Sequence, residues 1–84
     1  GLANKVVPDA ELMTEAKAMA AKIASMAPLA IATIKGRLIS GLDEPLGQAV
    51  REDVKAFALN FRTKDAREGI TAFLEKRPPK FTGE

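Results

Sequence analysis

Prolines at positions 8, 28, 45, 78 and 79 divide this 84-residue chain and limit where a helix can run. Proline fixes φ and lacks an amide hydrogen, so it suits the first turn of a helix and breaks the interior. It also pushes the preceding residue out of the α region. No helix can therefore run unbroken across these prolines, and the segments from Pro8 onward show helical apolar spacing. After Pro8, the residues Leu12, Ala16, Met19, Ala20, Ile23 and Ala27 recur at three- and four-residue steps and share one helical face. Asp9 and Glu11 fall in the first turn, where carboxylates complement the helix dipole. A second helix is predicted from Pro28 to Ser40, with Ile31, Ile34 and Leu38 on one side and Gly41 as a left-handed cap. A third opens on Asp43 as cap with Pro45 just inside, and carries Leu46, Val50, Val54, Phe57 and Phe61. A fourth runs from the cap Thr63 to the stop at Pro78-Pro79, with Ala66, Ile70, Phe73 and Leu74 as its stripe. Ahead of Pro8, "GLANKVV" alternates and ends in β-branched residues, which predicts a short strand. The expected fold class is all-α: four helices after a short N-terminal strand, with the stripes as core.

Composition narrows the chemistry. The chain has neither cysteine nor histidine. Disulfides and thiolate metal sites are therefore excluded, as are the commonest general base and any Ser-His-Asp or Cys-His arrangement. No metal site is expected. The formal charge is only +2, and basic residues lie among acids, as in Glu11, Glu15, Lys17 and Lys22. A nucleic-acid footprint asks for a clustered basic stripe, so no nucleic-acid partner is expected. No apolar run approaches the roughly 20 residues of a membrane span, so no membrane partner is expected either, and the expected setting is cytoplasmic.

The stretch "TKDAREGITAFLEKRPPKF", Thr63 to Phe81, holds two of the chain's four phenylalanines beside a Lys-Arg pair. Lys76 follows Phe73 by three residues, which on a helix puts ring and ammonium on one face. A ring next to a flexible cation suits a flat anionic group such as a nucleotide.

Three blocks, "GLANKVVPDAEL", "KIASMAPLAIATIK" and "FRTKDAREGITAFLEKRPPKFTG", stand in this order and at this spacing. Together they resemble the C-terminal end of the enoyl-CoA hydratase/isomerase (crotonase) family, from Gly1 to Gly83. The most specific part is the run Thr63, Asp65, Glu68, Gly69, Ala72, Phe73, Glu75, Lys76 and Arg77. The resemblance implies a core of repeated ββα turns followed by a helical region that builds trimers, often paired into hexamers. Residues 1–7 would be the end of that core, and residues 8–84 the helical region. A lone strand at the start of a helical chain is then explained.

The family adds water to a trans-2-enoyl-CoA thioester, using two backbone N–H groups and two glutamates. Those positions would lie ahead of Gly1, so no catalytic residue is nominated here, and the 84 residues alone are expected to be inactive. The resemblance implies a coenzyme A thioester as substrate of the parent enzyme, no tightly bound cofactor, and self-association. It also places the positions matching Phe57, Phe73 and Lys76 near the coenzyme A nucleotide, with the lysine on its phosphates. It does not separate hydratase from isomerase. The alternative is a free-standing helical interaction module whose apolar stripes bind a partner helix without catalysis.

Overall fold

In the computed structural model, which describes residues 1–84, the chain forms four helices and one 3₁₀ turn. Helix α1 spans Asp9–Ala24, α2 Pro28–Ser40, α3 Leu46–Asn60 and α4 Lys64–Leu74, with the 3₁₀ turn at Gly41–Asp43 between α2 and α3. The prolines account for the ends of α1 and α4. A proline ring collides with the carbonyl four residues before it. Helix α1 has Ala24 as its last residue, four before Pro28, and α4 has Leu74, four before Pro78. Ahead of Pro45, α2 stops at Ser40 and the chain tightens into the 3₁₀ turn.

Four local expectations change. Gly1–Val7 forms no strand, and Leu2 and Val6 lie almost fully exposed. A strand exists only when its backbone groups pair with a neighbour, and this chain offers none. Gly41 is right-handed, at φ −67°, because the 3₁₀ turn continues the helical sense. Asp43 belongs to that turn and caps nothing; Pro45 itself precedes the first residue of α3. Helix α4 ends well short of the Pro-Pro pair instead of running up to it.

Helices α1 and α2 meet at a sharp break, bent by 108° across Ser25–Ala27. Helices α2 and α3 pack on each other, and Arg37 ties them. Its Nε donates to Asp53 at 2.8 Å, and its two Nη groups donate to Glu44 at 3.2 and 3.0 Å. Nη2 also reaches the Ala49 carbonyl at 3.3 Å. Hydrogen bonds donated to Glu44, then to Asp53, hold the guanidinium more firmly protonated than usual. These donors are occupied, so Arg37 is not free for a phosphate.

The stripes do not close into a core. Only Ala72 and Asp65 are buried, while Leu12, Ile34, Val54, Phe57 and Phe73 each remain more than half exposed. The radius of gyration is 16.1 Å, against about 12 Å for a compact chain of this length. The molecule is a plate of 42 × 39 × 18 Å.

Candidate functional site

Helix α4 begins on a hydrogen-bonded cap. The Thr63 hydroxyl accepts from the Ala66 N–H at 3.1 Å and donates to the Asn60 carbonyl at 2.7 Å, which joins α3 to α4. The helix ends in a Schellman turn. The Lys76 N–H bonds the Phe73 carbonyl at 3.2 Å, and the Arg77 N–H bonds the Ala72 carbonyl at 3.0 Å. Such a turn requires a left-handed residue, usually glycine; here it is Lys76, at φ 54°. It is the one residue bearing a Cβ with positive φ in the chain.

Beyond this turn the tail runs back along α4. Arg77 forms a two-pronged pair with Glu68, at 2.6 and 2.9 Å, and a further contact to Glu75 at 2.6 Å. The Lys80 N–H donates to Glu68 at 2.8 Å. Asp65, 2% exposed, accepts the N–H groups of Thr82 and Gly83 at 2.7 and 2.8 Å. Its own N–H donates to the Glu84 carbonyl at 3.1 Å, and Lys64 pairs with the Glu84 side chain. Burying a carboxylate is costly unless hydrogen bonds replace water; here tail amides and the first turn of α4 do so. The Arg77 pairing, followed by the Lys80 N–H, draws the Glu68 carboxyl from 4.5 down to about 2.

The returning tail also supplies one wall of an apolar groove of about 420 Å³. Ile34 of α2, Phe57 and Phe61 of α3, Ile70 of α4 and Phe81 of the tail line it. Phe57 and Phe61 stack within it, tilted at 51° with centroids 4.9 Å apart. Gly69 faces the Phe81 ring at a distance where a methyl group would sit in ordinary contact, 3.6 Å.

Of the three residues predicted to bind the nucleotide, Phe73 and Lys76 lie one turn apart, at the far end of α4. Phe57 lies elsewhere, in the groove. The shared-face argument for Phe73 and Lys76 lapses, because α4 ends at Leu74 and Lys76 stands in the left-handed turn. Phe73 is 82% exposed and its ring stacks on no other aromatic ring. The sequence reading missed the work of Asp65 and Glu68. Their spacing of three on one helix marks a shared face, but nothing in the sequence says that the tail returns to it.

The profile of the enoyl-CoA hydratase/isomerase family matches residues 1–84. Among curated relatives, a crotonyl-CoA hydratase of Syntrophomonas wolfei is 42% identical over 81 residues, covering 96% of this chain and 31% of the relative. The human enoyl-CoA hydratase domain-containing protein 3, mitochondrial, is 40% identical over all of this chain and 28% of its own length. An enoyl-CoA hydratase/isomerase from Mycobacterium paratuberculosis superposes at a TM-score of 0.92 with 33% identity, over 100% of this chain and 33% of that one. A Geobacillus kaustophilus structure gives 0.91 with 40% identity, over 100% of this chain and 32% of its own. The chain thus spans about a third of the length of its relatives and corresponds to their C-terminal helical region. With all 84 residues matched, the chain belongs to the enoyl-CoA hydratase/isomerase family.

Proposed function

We propose that this chain serves as the C-terminal helical part of an enzyme that adds water across the double bond of a trans-2-enoyl-CoA thioester. The observation that carries this reading is the likeness along all 84 residues to proteins named as hydratases, at 42% identity for the crotonyl-CoA hydratase. Residues 1–7 are then the last stretch of the catalytic core, and residues 8–84 the region that helps assemble subunits and completes the coenzyme A site. The unpaired state of Gly1–Val7 supports this division, since those residues find no sheet partner among the helices.

Within this reading, Lys76 meets a phosphate of the coenzyme A nucleotide, and Phe73 lies beside it with its ring free. Phe57 contributes through the groove. A contact to a remote phosphate is made equally in ground and transition states, so it lowers KM without raising kcat. In the whole protein, Lys76→Ala should raise KM for a CoA ester about five- to thirtyfold, and far more than it lowers kcat. The same change should scarcely affect a pantetheine ester, which lacks the nucleotide. Steady-state kinetics on both esters check this, and equal effects on the two would remove Lys76 from the nucleotide site. The hydration itself is checked by loss of the enoyl thioester absorbance with the whole protein. The 84 residues alone should give none.

A further inference from the structure

We propose that Glu68 and Asp65 are positioning residues for Lys76, holding it at the apex of a reversed C-terminal tail. The proposal rests on the reading of Lys76 as a nucleotide contact. Its own support is the order of the tail contacts. As the chain advances from Arg77 to Gly83, its partners on α4 step backward from Glu68 to Asp65. Both carboxylates therefore grip one strap, Glu68 next to the turn and Asp65 near its far end. Phe81 lies between them, against Gly69.

The strap accounts for the backbone of Lys76. A left-handed conformation is unfavourable for any residue with a Cβ and persists when its surroundings over-determine it. Upstream, Lys76 is fixed by the end of α4. Downstream, it is fixed by the Glu68–Arg77 pair, which begins one residue later. Neither carboxylate touches Lys76; each acts through the path of the chain. Without the strap, residues 75–84 lose their anchorage to α4. Lys76 must then be ordered each time ligand binds, and that ordering subtracts from affinity.

The test is steady-state kinetics on the whole protein, with the same enoyl chain carried on coenzyme A and on pantetheine. Glu68→Gln should raise KM for the CoA ester about three- to tenfold, with a smaller change in kcat and little change for the pantetheine ester. Asp65→Asn should act in the same direction through a different pair of amides. Added to Lys76→Ala, neither should raise KM further, because a lysine already removed has no position to lose. Additive effects, or equal effects on the two esters, would overturn the proposal. If Lys76→Ala itself shows no preference between esters, the nucleotide reading falls, and this proposal with it. If Lys76→Ala is selective and Glu68→Gln is not, only the positioning role falls. Should Glu68→Gln give no soluble protein, Arg77→Lys reads the same clasp, since it keeps the charge and loses the two-pronged geometry. It should give a selective rise in KM, and a KM equal to the parent's would count against the clasp.

Discussion

At the scale of single residues, Lys76 carries the sharpest conflict between local preference and position. The Schellman turn asks for glycine, and the chain supplies a lysine at φ 54°. If Lys76 meets the nucleotide as proposed, stability and binding pull this residue in opposite directions. In the whole protein, Lys76→Gly should stabilise the turn by about 0.5–1 kcal/mol, read as a higher Tm, while KM for the CoA ester rises as in Lys76→Ala. A change that improved both would show that the lysine is there for no ligand. Asp65 presents the complementary case, a carboxylate 2% exposed with no cationic side chain against it. From the sequence, Asp65 was legible as part of the family run but not as an anchor for the tail. The two amides that occupy it lie 17 and 18 residues away, beyond the reach of any local pattern.

At the scale of elements, proline chemistry explains where α1 and α4 stop, and ion pairs explain how elements are joined. Arg37 fastens α2 to the 3₁₀ turn and α3, while Glu68 fastens α4 to its own tail. The second joint has a defined acid limit. The bound form of Glu68 is the carboxylate, and its folded value, about 2, lies below the ordinary 4.5. A depressed carboxyl stabilises the fold above its unfolded value and loses that contribution as pH falls through the folded one. The strap should therefore stay fastened above about pH 4.5 and release between 4.5 and about 2. Carboxyl NMR of Glu68 in the whole protein checks this, and a midpoint near 4.5 would mean that the pair with Arg77 does not form.

At the scale of the whole molecule, surface is the deciding quantity. The chain exposes 7187 Å², whereas a compact monomer of 9.0 kDa exposes about 4,900 Å². The excess, about 2,300 Å², includes the stripes that the sequence marks as core. Covering about 600 Å² of apolar surface is worth about 15 kcal/mol before association costs, as much as the whole stability of a small domain. The isolated 84 residues should therefore self-associate or melt without a cooperative transition. Sedimentation equilibrium with thermal unfolding checks this. A concentration-independent monomer that melts cooperatively would mean that four helices suffice alone.

The sequence by itself determined the helices, because proline sterics and a 3.6-residue apolar period act within a few residues of each other. It also carried the family, because the blocks from Gly1 to Gly83 keep their order and spacing. Periodicity identified which faces are apolar but not what covers them, since burial is a property of neighbours in space. The stripes of α1 to α4 are thus correct as faces and lie exposed in this chain. Only the tertiary structure decided that the tail turns back at Lys76 onto Asp65 and Glu68. That path joins residues up to 19 positions apart through backbone amides, which every residue but proline carries and no sequence pattern singles out.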